Sequence, residues 1–174
     1  MFAIVHNNTV QQLVQPGTQF TVNDITYANN WLQLASNDDK TALGIVEVTY
    51  DSRPDDRYYW VTESAPIYDA ETNTVRVSYT TTDKNIIQLK ASAVGQINAS
   101  AHSLLSASDW MVTRAAEPNG AAVPQEWLTW RASIRTTAQT QITVINSATT
   151  VAELIVITPV SWPTDPDYQA PTQG

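Results

Sequence analysis

The residue types that could carry chemistry are few in this chain and are poorly spaced for it. Its two histidines, His6 and His102, have no second histidine or glutamate at a metal-ligand spacing such as H-E-x-x-H. The absence of cysteine excludes zinc–thiolate sites, disulfides and thiol catalysis. No serine lies in a G-x-S-x-G or S-x-x-K motif, and no glycine-rich phosphate loop occurs. We therefore predict no catalytic residue, no metal ligand, no cofactor and no enzymatic activity.

Two clusters of acidic residues hold the carboxylates that general acid–base catalysis or Ca²⁺ binding would need. They lie in the segments NDD (37–39) and DSRPDD (51–56). Neither segment has the ligand spacing of an EF-hand loop. The first stands at a predicted helix start and the second is a proline-containing turn, and both positions favour aspartate for local reasons. We interpret the two clusters as caps and turns.

An aromatic run at residues 57–64, RYYWVTES, could form a sugar-binding platform. Strand alternation places Tyr58 and Trp60 on one face and Tyr59 and Val61 on the other. A strand of this composition is more often sandwiched between layers than displayed. We favour the sandwiched strand, and we keep a receptor- or carbohydrate-binding module as the alternative function.

Tryptophan and arginine are concentrated at residues 106–135, which hold three of the six tryptophans and three of the nine basic residues. On a helix, Trp127, Trp130 and Arg131 share a side by their three- and four-residue spacing. Indole rings would then fill the gap between helices, with a guanidinium on a ring or paired with Asp109. Because Trp and Arg also dominate interface hot spots, partner contact stays open beside packing. The candidate partner-binding residues are Trp110, Arg114, Trp127, Trp130, Arg131, Arg135 and Trp162.

The elements that must position these residues differ between the two halves of the chain. Residues 1–80 read as a β-rich module, with strand patterns at 2–5, 18–27, 44–50, 57–64 and 74–80. Asn23-Asp24 predicts a hairpin turn within the second pattern. A short helix is predicted near 37–43, because Ser36 and Asp39 form a capping-box pattern and Gly44 suits a helix C-terminus.

Residues 84–157 change to a helical pattern. Apolar positions three and four residues apart from Ile86 to Leu105 predict one long amphipathic helix. A second helix begins near Ser106 or Ser108, and a third follows the loop at 117–124. Thr150 and Glu153 predict the cap of a last short helix. Residues 158–174 form a Pro-rich tail, and the whole is an α+β protein whose helical region contains a helical hairpin.

Composition narrows the classes of partner. With 43% hydrophobic residues the chain can build a core, while only 15% are charged. The net charge of −8 opposes binding to phosphate backbones and anionic lipid, so we predict neither nucleic-acid nor membrane binding. No run approaches the ~18 apolar residues of a membrane helix, and the N-terminus lacks the pattern of a signal peptide.

The segments LLSASDWMVTRAAE, VPQEWLTWRASIR and VSWPTDPD resemble the C-terminal region of phage and prophage proteins encoded beside tail-fibre genes. These include tail-fibre assembly proteins and a related domain of unassigned function. The resemblance covers about residues 104–166. The N-terminal half resembles small proteins of the same gene clusters, in which Tyr-Pro-x-Asn-Trp-Leu is frequent; here Ala28 stands at the proline position. The residues that carry the resemblance are Asp109-Trp110, Arg114, Pro124, Trp127, Trp130-Arg131, Ile134-Arg135 and Trp162-Pro163.

The resemblance implies a tail-fibre-associated protein without catalytic residues. Its expected partner is a phage tail fibre or a baseplate protein. It would act as an assembly chaperone of a trimeric fibre or stay attached as an accessory virion subunit. The expected location is the host cytoplasm during assembly, and the virion tail if the protein is retained. A homo-oligomer, such as a trimer, stays open.

Overall fold

The structure, a computed structural model, describes residues 1–167. The chain divides between Thr82 and Asp83 into two compact units, which we call the β-rich unit and the helical unit. Strands with two short helices come first and four helices follow, so the predicted α+β class is confirmed. The predicted Pro-rich tail continues into residues 168–174, which lie outside the described residues.

Nine strands and two short helices precede the long helices. A five-stranded sheet has the order β2-β1-β5-β8-β7, and β3-β4 and β6-β9 form two-stranded ribbons. Within the sheet only β5 and β8 pair in parallel, which requires the crossover connection supplied by residues 51–73. The elements are β1 (Phe2–His6), β2 (Thr9–Val14), β3 (Phe20–Val22), β4 (Ile25–Tyr27), α1 (Trp31–Leu34), α2 (Asn37–Ala42), β5 (Ile45–Tyr50), β6 (Tyr59–Glu63), β7 (Ile67–Asp69), β8 (Thr74–Val77) and β9 (Tyr79–Asp83).

The five-stranded sheet contributes to two cores, one on each face of β1 and of the start of β5. Ile4 and Ile45 belong to the core that β3 and α1 cover, whereas Ala3 and Val46, their chain neighbours, belong to the opposite core. The edge strands β2 and β7 both pack against this second core, so the sheet curls into a half-barrel. Along β5, Val46 and Val48 face this second core and Glu47 and Thr49 are exposed, while Ile45 at the start of the strand reaches the first core.

Local turn and cap patterns in the β-rich unit form as predicted. Asn23 and Asp24 have φ angles of 49° and 62°, as a two-residue hairpin turn requires. The Ser36 hydroxyl accepts from the Asp39 backbone N–H, and the Asp39 carboxylate accepts in return from Ser36. Gly44 has φ of +67°, and a Cβ there would lie 2.4 Å from the Val5 carbonyl oxygen, so only glycine fits.

Up to residue 167 the helical unit contains four helices: α3 (Ile86–Ser106), α4 (Asp109–Ala115), α5 (Gln125–Ser147) and α6 (Val151–Ile157). The long helices α3 and α5 are antiparallel. The Lys90 ammonium near the start of α3 donates to the Asn146 carbonyl near the end of α5. The Leu105 carbonyl near the end of α3 accepts from Arg131 near the start of α5. The antiparallel pair of long helices is therefore α3 with α5, and the short helix α4 lies between them in the chain.

The core of the helical unit lies between α3 and α5. Small residues on α3, among them Ala93 and Ala101, share this core with larger side chains on α5, among them Trp130, Ile134 and Ile145. This complementarity lets the helices approach closely, and each fully buried aliphatic side chain adds roughly 1.5–3 kcal/mol. The buried members of this core are Ala93, Ile97, Ala101, Trp127, Trp130, Ile134, Ala138, Ile145, Ala148 and Leu154.

The last helix and the segment after it complete this core. Thr150 and Glu153 form the predicted capping box, and backbone N–H donation from Thr149 is the main cause that lowers the pKa of Glu153. After α6, Trp162 packs against the core, and the Trp130 indole N–H donates to the Pro163 carbonyl at 3.1 Å. Trp162 and the Trp130–Pro163 hydrogen bond thus attach the start of the proline-rich segment to the helical core.

Candidate partner-binding site

A buried arginine fixes the junction between α3 and α4. Arg131 on α5 is 6% exposed. Its Nη1 donates to the Leu105 carbonyl at 2.8 Å and to the Ser108 hydroxyl at 2.5 Å. Its Nη2 pairs with the Asp109 carboxylate at 2.7 Å. One planar guanidinium therefore holds one carbonyl near the end of α3, the serine that precedes α4 and the first residue of α4 against α5.

Ser108 was predicted only as a possible start of α4, and its role is different. It precedes the helix but makes no side-chain cap bond. Its hydroxyl instead donates to the Leu105 carbonyl at 3.0 Å and accepts from Arg131. Full burial of this hydroxyl explains why a small polar residue is placed between two helices. A spacing pattern along one helix gives no sign of such a contact.

The contacts of Arg131 described above, which we call the clamp, leave the opposite side of α4 exposed. Met111 packs against the helical core, whereas Trp110 is 56% exposed. Arg114, also exposed, lies four residues after Trp110 and so on the same side of the helix. An indole of this size is a large apolar surface to leave in water, and its neighbour carries a positive charge.

The loop after α4 folds back over the end of that helix. Asn119 adopts φ of +62°, and the Gly120 N–H donates to the Glu117 carbonyl at 2.9 Å. A Cβ at Gly120 would lie 1.8 Å from the Arg114 carbonyl oxygen, so the close approach needs glycine. The turn at 119–120 was predicted, but the contact with α4 was not.

This fold-back creates a small hollow beside the exposed tryptophan, which we call the α4 hollow. Its volume is about 170 Å³. Its walls are mostly apolar, and Arg114 supplies the one charged side chain among them. The three loop residues and Met111 were not predicted as site residues, because alanine, proline and methionine carry no chemical signature. The lining residues are Trp110, Met111, Arg114, Ala121, Ala122 and Pro124.

Arg114 differs from the other arginines because its guanidinium has no partner within residues 1–167. That group makes no hydrogen bond, ion pair or ring contact there. Glu117, three residues on, does not reach it. The other arginines form the contacts Arg53–Asp56, Arg57–Asp55, Arg76–Asp51, Arg131–Asp109 and Arg135 to the Arg131 carbonyl.

The seven candidate partner-binding residues separate into three groups by exposure. Trp127 and Trp130 are 6% and 5% exposed, and with Arg131 they belong to the interior of the helical unit. Their burial agrees with the interpretation that they pack between helices, and it leaves them little surface for a partner. Trp162 is half-buried. Trp110, Arg114 and Arg135 remain exposed, and only the first two line the α4 hollow.

The aromatic strand of the β-rich unit is displayed, which corrects the sandwiched-strand prediction. Trp60 is 66% exposed, and Tyr58 and Tyr59 are half-buried. The reason is that β6 pairs only with β9 in a two-stranded ribbon, apart from the five-stranded sheet. The acidic cluster beside it is engaged locally, since Arg57 pairs with Asp55 at 2.7 Å and lies over the Tyr58 ring.

Other features offer less for binding. A wider depression of about 610 Å³ at the β1–β2 turn is lined mainly by small apolar and amide residues such as Asn7 and Asn8, without a Lys, Arg, His, Asp or Glu side chain. Both histidines are exposed. In the part of the chain that the structure describes, no group of three or more Asp, Glu or His residues could hold a metal ion. Up to residue 167, no helix is long and apolar enough to cross a membrane.

Substituting Gly120 by alanine is expected to destabilise the helical unit by about 1–3 kcal/mol, because the new methyl group would collide with the Arg114 carbonyl. Gly95→Ala is the matched control. Gly95 lies within α3, and nothing lies within 4 Å of the place that a Cβ would take, so this change should stabilise by about 0.5–1 kcal/mol. Urea unfolding measures both. Equal stability of Gly120→Ala and the unaltered protein would show that the loop does not need its contact with α4.

No protein-family model matches the chain, and no curated protein or solved structure matches it either. Interpretation of the α4 hollow therefore depends on its own geometry and on the sequence resemblance described above.

Proposed function

We propose that this chain is a bacteriophage tail-fibre-associated protein that binds a tail fibre or baseplate component through the α4 hollow. It acts as an assembly chaperone or as a retained accessory virion subunit. The observation that carries the proposal is the exposed Trp110 next to Arg114, in a segment that resembles tail-fibre assembly proteins.

Energetics favour this surface as an anchor. Trp and Arg are the residue types most enriched among interface hot spots, where truncation costs about 2 kcal/mol or more. The Arg131 contacts hold α4 in place before any partner arrives. A pre-organised anchor loses less conformational entropy on binding than a mobile one. The hollow also provides a concave place for a partner side chain.

The residues that carry the resemblance have two different roles under this proposal. Trp127, Trp130 and Arg131 hold the helical hairpin together, and Asp109 completes the clamp. Trp110 and Arg114 are the members left for a partner. A shared motif of this kind would then preserve both the scaffold and the surface that the scaffold presents.

The test is co-expression with the fibre protein encoded beside this chain, followed by affinity purification. Trp110→Ala should reduce the recovered fibre protein about tenfold or more, as loss of a hot spot implies. Trp60→Ala is the control, because it removes an exposed tryptophan of the other unit. Unchanged recovery with Trp110→Ala would overturn the proposed surface, and failure of the unaltered chain to recover any fibre or baseplate protein would overturn the function.

The two versions of the function differ in the fate of the protein. A chaperone leaves the assembled fibre, whereas an accessory subunit remains in the virion. Mass spectrometry of purified particles decides between them, because a departing chaperone is missing from the particle while its fibre is present.

A receptor- or carbohydrate-binding function is the second candidate. The observation in its favour is the exposed Trp60, which follows half-buried Tyr58 and Tyr59 and lies on the two-stranded ribbon of β6 and β9. Glycan-array binding that Trp60→Ala abolishes and Trp110→Ala retains would support it. Absence of any glycan binding by the unaltered chain would count against it.

A further inference from the structure

We infer that the α4 hollow takes a bulky apolar side chain from an acidic peptide segment, with Arg114 binding the carboxylate that accompanies it. The inference rests on the proposed function, because it specifies the chemistry of the partner at the same surface. It excludes a purely apolar partner and a polyanionic one.

The hollow has the size and lining for one side chain. Its volume is about 170 Å³, and an apolar cavity of about 150 Å³ is enough to hold a benzene ring. The indole of Trp110 and the faces of Ala121, Ala122 and Pro124 present carbon surface to whatever enters. A leucine or phenylalanine side chain would remove that surface from water, whereas a charged group would lose its hydration there.

The charge at the rim selects an acidic neighbour for that side chain. The Arg114 guanidinium has no acceptor within the described part of the chain, although the sequence carries 17 acidic residues. Asp109, the acidic residue nearest to it on α4, is bound to Arg131. A guanidinium left without a partner can form a bidentate contact with an incoming carboxylate.

A single carboxylate fits better than a polyanion. Binding to a phosphate backbone depends on several neutralising cations, whereas the hollow has one. The net charge of −8 would repel a highly charged strand. A peptide with one Asp or Glu next to a Leu or Phe brings the apolar side chain and the charge together without that repulsion.

The test uses two peptide probes, acetyl-Gly-Leu-Asp-Gly-amide and the same peptide with Asn in place of Asp. Binding is followed by NMR through the indole N–H resonance of Trp110 in ¹⁵N-labelled full-length protein. The Asp peptide should shift this resonance and bind about fivefold more tightly than the Asn peptide at low salt. The preference should decrease as salt screens the ion pair. The resonance of the buried Trp127 is the internal reference.

Variants assign the preference to Arg114. Arg114→Gln should abolish the difference between the two peptides while the Leu side chain still enters the hollow. Arg114→Lys should keep part of it, because the charge remains without the bidentate geometry. Arg135→Gln, which alters an exposed arginine outside the hollow, should leave it unchanged.

Several results would overturn the inference. These are equal affinity for the two peptides, a preference that persists in Arg114→Gln, or no shift of the Trp110 resonance by either peptide. Concentration-dependent self-association that Arg114→Gln abolishes would also overturn it, because the occupant would then be a second copy of the chain. Fibre recovery that is lost in Trp110→Ala but unchanged in Arg114→Gln would leave the proposed function standing and remove this inference. A confirmed preference for the Asp peptide without fibre recovery by the unaltered chain would remove the proposed function and leave this inference standing.

Discussion

Replacement of Trp130 by alanine is expected to lower the free energy of unfolding of the helical unit by about 3–5 kcal/mol. The indole is 5% exposed, and it meets Trp127 edge-on with ring centroids 5.4 Å apart. Removing it opens a cavity in the core between α3 and α5 and deprives the Pro163 carbonyl of its donor. Denaturant unfolding followed by far-ultraviolet circular dichroism measures the loss, because the long helices belong to this unit.

Trp110→Ala is the matched control for this measurement. It removes the same side chain from an exposed position on a neighbouring helix, so stability should change by no more than about 0.5 kcal/mol. The two variants should therefore have different effects: Trp130→Ala lowers stability, and Trp110→Ala reduces recovery of the fibre protein. A Trp130→Ala protein of unchanged stability that no longer recovers the fibre would show that Trp130 is an interface residue.

Local sequence rules predicted the parts of the fold that depend on neighbouring residues. The capping boxes at Ser36–Asp39 and Thr150–Glu153 form as predicted, because each involves residues three apart whose geometry is set by one helical turn. The turn at Asn23–Asp24 forms for a similar reason. Periodicity predicted α3 and α5, since burial of one face determines the spacing of apolar residues along a helix.

Pairing between distant segments could not be predicted in the same way. The strands β2 and β7 were missed, and nothing near β5 in sequence indicates that it pairs in parallel with β8. Which strands meet is decided by packing of the whole sheet and not by any one strand. The same limit applies to exposure: the pattern of β6 did not reveal that Trp60 would lie on an uncovered ribbon.

Residue spacing predicted some features of the candidate site and missed others. Helical spacing correctly placed Trp127, Trp130 and Arg131 on one side of α5, and the pairing of a guanidinium with Asp109 was foreseen. Spacing could not show which tryptophans the other helices would cover. It also gave no sign of the Ser108 contact, which depends on how α3 ends against α5.

Arg131→Ala is expected to cost about 3–5 kcal/mol, a loss comparable with that of Trp130→Ala. The larger part should come from the Leu105 carbonyl and the fully buried Ser108 hydroxyl, which lose a charged donor. The smaller part is the packing of the arginine stem. Arg131→Met restores most of that stem without the donors, so it should recover only a minor fraction of the loss in the same unfolding experiment.

Asp109→Ala should cost much less, about 1 kcal/mol or below, although Asp109 is the formal ion-pair partner of Arg131. Its side chain is 54% exposed, so water that already reaches the carboxylate can solvate the guanidinium when the carboxylate is removed. The difference between the two stability losses distinguishes two explanations of the clamp. In the first, the hydrogen bonds from Arg131 to the buried acceptors supply most of the stability. In the second, the ion pair with Asp109 supplies it. Equal losses for Arg131→Ala and Asp109→Ala, or an Arg131→Met protein as stable as the unaltered chain, would contradict the first explanation. In that case the position of α4, and of Trp110 upon it, would depend on electrostatics that salt can screen.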